Sequence, residues 1–248
     1  MPATFCHVHT GGVLNRASRL LGEALRSVFR VILLLRRPRP IHSRGRVLRG
    51  ELSWITGAAA AGIRWIDEPP GHPLPVVARL SRSLGLPPAL PDIIGLALRA
   101  DAGGRPVDLE LASTGLGIPS RFMLLPHRSP SHARFGTLLP YWSPRGPILL
   151  CARPVSSGEP LPAGGRPLDE ALAKDPWLLR LYHATPTGKW HPFAELSLRL
   201  SENQDDARLR FDSVRHGLPG ADTYAWVRAL RQPSYHLVQD PALRQRRG

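Results

Sequence analysis

A few polar side chains in this sequence have the types and spacing that proton transfer needs. His42 carries an imidazole, whose pKa of about 6.5 lets it accept and return a proton at neutral pH. Arg79 and Ser81 are two residues apart, so on a strand they point to the same face. Arg231 precedes Tyr235 by four residues, which places both on one face of a helix. A guanidinium in that position would lower the pKa of the phenol and favour its ionised form.

Most of these side chains depend on strands to position them. Short apolar or alternating runs, separated by Pro-Pro, Gly-Gly and Pro-x-Pro breaks, predict strands. The runs are 47–52, 74–80, 93–99, 107–111, 148–152 and 193–200. Helices are expected over 168–181 and 223–230. The pattern predicts an α+β fold that is mainly β, built as a sheet or barrel.

The N-terminal segment 1–38 differs from the domain expected over 39–248. Residues 1–50 contain ten arginines and one acid, Glu23. Arginines and aliphatic side chains recur at three- and four-residue steps over 14–35, which predicts an amphipathic helix that ends before Pro38 and Pro40. This helix either packs on the domain or makes a peripheral contact with an acidic membrane surface through residues 14–37.

The composition limits the remaining classes of protein. The 248 residues fit one domain with a terminal extension, and the net charge is +14. This arginine-rich chain has 31 Arg against 2 Lys, and its tryptophans are spread singly, so no nucleic-acid partner is expected. Two cysteines without a CxxC pair, no apolar run of about 18 residues and no cleavable signal predict a cytoplasmic protein. Membrane association is the alternative, and the oligomeric state stays open.

The order of four short motifs resembles the heme-dependent catalase-like superfamily. The motifs are Arg39-x-x-His42-x-Arg44-Gly45, then Arg79-Leu80-Ser81, then Asp92-x-x-Gly95-x-Ala97, then Asp108-Leu109. The Arg231 to Tyr235 stretch resembles the family's C-terminal ligand motif. The resemblance implies a short, barrel-core-only member: a catalase-like antiparallel β-barrel with an N-terminal amphipathic helix and short C-terminal helices.

The resemblance also implies a cofactor, heme b, and a role for each candidate residue. Tyr235 would be the axial iron ligand and Arg231 its activator, while Arg39 and Arg79 would hold the propionates. His42 would move the proton of a peroxide or hydroperoxide substrate, and Ser81 would orient the imidazole. The family's distal asparagine falls on Ser113, which has a shorter reach and no amide donor. Slow peroxide chemistry is therefore expected, as a low-activity peroxidase or an enzyme that transforms organic hydroperoxides.

Two other functions remain open, and so does the question of whether the protein is an enzyme. One is a phosphodiesterase-type hydrolase, which would need His and Asp side chains clustered at metal-ligand spacing. The other is a non-catalytic barrel that binds heme or a lipid and has lost peroxide chemistry.

Overall fold

The computed structural model describes residues 45–101, 104–155, 159–205 and 209–224. In this part of the chain the strands are β1 (Gly45–Trp54), β2 (Leu74–Arg82), β3 (Ile94–Asp101), β4 (Pro106–Ser113), β5 (Phe135–Gly136), β6 (Tyr141–Ser143), β7 (Gly146–Pro154), β8 (Trp177–Ala184), β9 (His191–Leu200) and β10 (Asp222–Thr223). The helices are α1 (Arg64–Asp67) and α2 (Gly165–Lys174), with single 3-10 turns at Ser120–Phe122 and Pro130–His132. The predicted N-terminal segment 1–38, including residues 14–37, lies outside the described residues.

Eight of these strands close into a barrel. The antiparallel pairings run β1–β2–β3–β4–β5–β7–β8–β9, and β9 pairs with β1 to complete the circle. The short strands β6 and β10 extend the sheet from β7. The closure is narrowest at β5, which pairs with β4 and with β7 over two residues each. The predicted mainly β fold with an antiparallel barrel is confirmed.

Alternation along the strands fills the barrel interior with aliphatic side chains. Side chains of a strand point alternately to opposite faces, and here one set is buried in a single core. The buried set of β2 and β3 is Leu74, Val76, Ala78, Leu80, Ile94, Leu96, Leu98 and Ala100. The intervening residues, among them Arg79, Ala97 and Arg99, lie on the outer face. The polar candidates on β2 are therefore directed away from the apolar core.

Both ends of the barrel are covered by apolar side chains. At one end, α2 contributes Leu168 and Leu172 to the core, and its Asp169 pairs with Arg46 of β1 at 2.7 Å. At the other end, α1 inserts Trp65 edge-on between Trp54 and Phe193, with ring centroids 5.3 and 6.0 Å apart. The interior is thus filled by side chains, as expected for a barrel of eight strands.

The structure corrects one of the predicted helices. The helix expected over 168–181 ends at Lys174, and residues from Trp177 onward form β8. Pro176 disfavours helical geometry at Asp175, and the alternating burial that follows suits a strand. Of the helix expected over 223–230, Thr223 lies in β10, and residues 225–230 lie outside the described residues, so this helix stays a prediction. Within the described ranges, no helix is long and apolar enough to span a membrane.

Candidate functional site

Four small residues form one cross-strand row on the outer face of the barrel. The register pairs Gly45 with Ser81, Ser81 with Gly95, and Gly95 with Ala112. We call this row the shelf. Neighbouring strands are about 4.8 Å apart, so the shelf extends roughly 14 Å around the outside of β1 to β4. Because none of its side chains is larger than serine, a bulky group could approach the backbone closely here.

Ser81 is the one polar side chain of the shelf. The residue is only 8 % exposed, yet its hydroxyl forms no hydrogen bond with any group in the described ranges. The hydroxyl faces outward and is available to a group that packs against the shelf.

Arg79 lies beside the shelf, on the same face as Ser81. Its side chain crosses Gly45, since a Cβ atom at that glycine would lie 2.5 Å from the Arg79 Nε and 2.6 Å from its Cζ. Glycine at position 45 therefore gives the guanidinium its path across β1. The structure thus brings together the cation and the hydroxyl predicted from the Arg-x-Ser spacing.

Ser113 is not on this face. It follows Ala112 on β4 and points the other way, fully buried, with its hydroxyl accepting from the Ile94 amide at 3.0 Å. The same hydroxyl donates to the Leu125 carbonyl at 2.7 Å. Its donor is therefore already used by the fold. A role as distal donor remains a prediction that requires this bond to break.

Asp92 has a structural role at the start of β3. The buried carboxylate accepts hydrogen bonds from the amides of Leu84 and Leu86, at 3.0 and 3.1 Å. Arg82 approaches the same carboxylate at 3.7 Å. These contacts hold the loop between β2 and β3, which fixes the ends of the two strands that carry Ser81 and Gly95.

A second aspartate, Asp108, is the centre of the densest polar cluster on the outer face. Its fully buried carboxylate accepts two hydrogen bonds from Arg99, both at 2.6 Å. It also accepts from the Asp212 amide at 2.7 Å and contacts the His216 Nδ1 at 2.9 Å. The Asp108 amide in turn donates to the His216 carbonyl. We call Asp108, Arg99, Asp212 and His216 the clamp.

The clamp keeps Asp108 ionised. Burial alone would raise the pKa of this carboxyl, but the hydrogen bonds from Arg99, Asp212 and His216 outweigh burial and hold the pKa below its ordinary value. The same pair raises the pKa of Arg99. The Asp-Leu motif singled out Asp108, but no motif in the sequence predicted its contacts with Arg99, Asp212 and His216. The nine-residue separation of Arg99 and Asp108 across a hairpin was the available signal.

The histidines of the described ranges do not gather into a metal-ligand cluster. His183 contacts the Ala59 carbonyl at 2.8 Å, and burial lowers its pKa. His127 has a buried Nε2 without a partner, and burial lowers its pKa as well. Over residues 45–101, 104–155, 159–205 and 209–224, no three His, Cys, Asp or Glu side chains come together as a metal-binding group.

Four of the predicted site residues lie outside the described residues. They are Arg39, His42, Arg231 and Tyr235. His42 precedes Gly45 of the shelf by three residues in the sequence, and Arg231 follows Tyr224 by seven. The described chain thus begins and ends close in sequence to the two predicted halves of a heme site.

Solved structures that are similar to this one include three catalases. Catalase A from Saccharomyces cerevisiae matches with a TM-score of 0.57 and 12 % identity over 84 % of this chain and 64 % of its own. A fungal catalase matches with a TM-score of 0.51 and 14 % identity, covering 96 % and 68 % of the two chains. A bacterial catalase gives 0.50 and 14 %, covering 93 % and 64 %. No protein-family model matches the sequence, and no curated protein does either.

These similarities define the fold and no more. The protein has a catalase-like antiparallel β-barrel, as the resemblance of its motifs implied. At 12–14 % identity, a shared barrel does not carry an activity with it. The chain spans only about two thirds of the length of the catalases that it matches, 64 to 68 %.

Proposed function

We propose that the protein binds heme b against the shelf and uses it for slow peroxide chemistry, as a low-activity peroxidase or as an enzyme that transforms organic hydroperoxides. The observation that carries the proposal is the outward-facing hydroxyl of Ser81, which lies beside Arg79 on a row of small residues. The catalase-like fold supports it.

The residues present fit a heme. A porphyrin needs a flat, largely apolar surface, which Gly95 and Ala112 offer, and cations for its propionates. Arg79 supplies one such cation at the edge of the shelf, and Arg39 is proposed as a second. Ser81 would supply a hydroxyl that can form a hydrogen bond beside the heme. This donor set suits a heme better than a bare metal ion, since none of these side chains is a strong metal ligand.

The bound heme would supply the iron at which a peroxide is activated. His42 would accept the proton from one peroxide oxygen and return it to the other, since its imidazole titrates near neutral pH. Ser81 would hydrogen-bond the imidazole and fix which nitrogen carries the proton. Gly45 pairs directly with Ser81, and His42 is three residues earlier in the sequence, which supports this pairing of roles.

Tyr235 is proposed as the axial ligand, with Arg231 as its activator. A phenol has a pKa of about 10 and must lose its proton to bind iron. A guanidinium four residues earlier on a helix would stabilise the phenolate electrostatically.

The reaction is expected to be slow. The donor of the Ser113 hydroxyl is used by the Leu125 carbonyl, and serine provides no amide in its place. The same observation favours a second candidate function, a barrel that binds heme without turning over peroxide.

An absorption spectrum of protein purified from heme-supplemented cells tests the proposal directly. We expect a Soret band of a five-coordinate, high-spin type and close to one heme per chain by pyridine hemochrome. A protein that contains no heme and also refuses added hemin would end the heme proposal and leave only the fold.

Two variants then assign the roles. Tyr235→Phe should lose the high-spin spectrum and most of the heme, and an unchanged spectrum would remove Tyr235 as the ligand. His42→Ala should keep heme but lose peroxide turnover. Turnover equal to that of the parent would remove His42 from the mechanism.

A further inference from the structure

The loop between β2 and β3 presents apolar side chains to solvent. We call residues 83–91 the apolar loop, since they contain no charged side chain and Ser83 is their only polar one. Leu84 is 66 % exposed and Leu90 is 49 % exposed. Ala89 and the three prolines of the loop are exposed as well. Single exposed apolar residues are ordinary on a protein surface, but a whole exposed loop of them indicates a site of interaction.

The backbone of the apolar loop forms hydrogen bonds within the protein. The buried Asp92 carboxylate accepts from the Leu84 and Leu86 amides, and the Arg82 guanidinium donates to the Leu90 carbonyl. Two further amides donate to backbone carbonyls, those of Ser83 and Leu90. The prolines have no amide hydrogen that would need a partner. An apolar medium penalises polar groups without partners, so this bonding lowers the cost of moving the loop out of water.

An exposed cation lies beside the apolar loop. The Arg128 carbonyl accepts from the Arg82 guanidinium at 3.0 Å, which holds residue 128 next to the loop. Arg128 is exposed and forms no ion pair with a carboxylate of the described ranges. The charge of Arg82 itself is offset by Asp92, 3.7 Å away. The loop is thus bordered by a positive charge that no described carboxylate offsets, in a chain whose net charge is +14.

An anionic lipid bilayer suits this combination better than a protein partner does. A bilayer offers an apolar interior to the leucines and phosphate groups to a neighbouring cation, and it needs no complementary shape. A stable protein interface takes roughly 20–30 residues from each side, which is more than one loop of this length provides. The apolar character, the bonded backbone and the adjacent cation therefore favour lipid.

We propose that the apolar loop is a membrane-docking site: it inserts Leu84 and Leu90 into the interfacial region of an anionic bilayer, while Arg128 contacts the lipid phosphates. The site is separate from the N-terminal segment 14–37, and it does not depend on heme. The loop joins the two strands that carry Ser81 and Gly95. Docking would therefore place this end of the barrel against the lipid.

The first test is co-sedimentation of the full-length protein with vesicles of phosphatidylcholine that contain phosphatidylglycerol. The double variant Leu84→Ser with Leu90→Ser should weaken binding by about 10-fold for each leucine, since moving a leucine side chain out of water contributes about this factor. Both side chains are exposed, so the variant should keep the far-UV circular dichroism of the parent. Leu178→Ser is the matched control, because Leu178 is 37 % exposed on β8, with β9 and β1 between it and β2. It should bind vesicles as the parent does.

The second test separates the charge from the apolar contact. Arg128→Gln should weaken binding to phosphatidylglycerol vesicles by about fivefold, the contribution of one arginine near an anionic surface. Binding to vesicles of phosphatidylcholine alone should not change. Arg105→Gln removes an exposed arginine next to β4 at the opposite end of the barrel and should have a smaller effect. Equal effects of the two variants would show that only the net charge matters and would contradict the assignment of Arg128.

A fluorescent label reports directly whether the loop enters the lipid. Ala89→Cys can be labelled with an environment-sensitive fluorophore in a Cys6→Ser background, since the Cys151 thiol is buried. Its emission should shift to the blue when anionic vesicles are added, and lipids that carry a quencher on the acyl chain should quench it. The control label is at Thr187→Cys, an exposed position in the turn between β8 and β9 at the opposite end of the barrel. It should show neither change.

Three outcomes would overturn the proposal. One is a parent protein that does not bind anionic vesicles. Another is a parent that binds them while the leucine variant binds equally well and the label at position 89 stays in water, which would assign the binding to another part of the chain. The third is self-association of the parent, measured by analytical ultracentrifugation without lipid and lost in the leucine variant, which would make the loop a contact between copies of this chain.

Discussion

The outer face of β1 to β4 contains two polar regions that are built in opposite ways. In the clamp, each oxygen of Asp108 has donors, and the donors come from a neighbouring strand and from the segment 209–224. On the shelf, Ser81 is almost as buried, but its hydroxyl has no partner in the described ranges. The two regions share strands β3 and β4 and are only four residues apart along them.

This difference indicates what each region is for. A polar group whose partners all come from the chain serves the fold, because its bonds are made when the chain folds. A polar group on the outer face that the chain leaves without a partner can bond a group from outside the chain. We therefore assign the clamp to architecture and the shelf to binding, and each assignment predicts how a substitution will behave.

The largest expected effect is on the clamp. Asp108→Ala leaves Arg99 partly buried without its carboxylate and removes the acceptor of the Asp212 amide. Breaking a buried ion pair by removing one partner costs about 3–5 kcal/mol. The free energy of unfolding, measured by urea denaturation with circular dichroism, should fall by this amount.

A control for this effect is the double variant Arg99→Met with Asp108→Leu. Replacing both partners by apolar groups avoids the stranded charge and should recover part of the loss. If Asp108→Ala costs no more than a surface substitution, about 0.5 kcal/mol, the clamp does not stabilise the fold and the comparison fails.

The buried serine on the inner side gives the next largest effect. Ser113→Ala removes one hydroxyl and strands two groups, the Ile94 amide and the Leu125 carbonyl. Leaving a buried donor or acceptor unsatisfied costs about 1–3 kcal/mol. Thermal unfolding of the variant should show this loss, whereas an unchanged midpoint would mean that water or a neighbour replaces the hydroxyl.

The same residue shows what the sequence could and could not predict. Counting from Asp108-Leu109 identified Ser113 as the position of the family's distal asparagine, and the alternation of β4 identified a strand. Alternation also places Asp108 and Ser113 on opposite faces, five residues apart. Which of the two residues points into the barrel depends on the register of β4 with β3. That register could not be predicted from the sequence.

Other features were predictable to the extent that they are local. The Arg-x-Ser spacing was sufficient to place Arg79 and Ser81 on one face, and the Gly/Pro breaks were sufficient to separate the strands. The contact of Asp108 with His216 joins residues 108 positions apart, so no local sequence pattern predicts it. The end of α2 was misplaced because Leu178 and Leu181 continue a helical spacing, while pairing with β7 and β9 decides in favour of a strand.

Acid should lower the contribution of the clamp to the free energy of unfolding, and the size of this loss can be compared between the parent and Asp108→Asn. The pKa of Asp108 is held below its ordinary value of 3.8, so the unfolded chain takes up a proton at this residue before the folded chain does. The stability from the clamp is therefore present above that value and is lost as the pH falls through it toward the folded pKa. One differential proton corresponds to a slope of about 1.4 kcal/mol per pH unit.

Urea unfolding at several pH values below 4 measures this slope. The parent should lose stability more steeply than Asp108→Asn, which has no proton to gain at this position. Equal slopes in the two proteins would show that Asp108 is protonated at the same pH in the folded and unfolded chains, contrary to the hydrogen bonds that surround it.

The smallest effect on stability is expected at the shelf, and it is the most informative. Ser81→Ala removes a hydroxyl that has no partner in the described chain, so the unfolding free energy should change by no more than about 0.5 kcal/mol. Ser113→Ala is the matched control, since it deletes the same atom from a serine that is fully bonded.

If the shelf binds heme, Ser81→Ala should instead change the pH profile of peroxide turnover, because the imidazole of His42 would lose the group that fixes its tautomer. A Ser81→Ala variant as destabilised as Ser113→Ala would place Ser81 with the clamp among the groups that serve the fold.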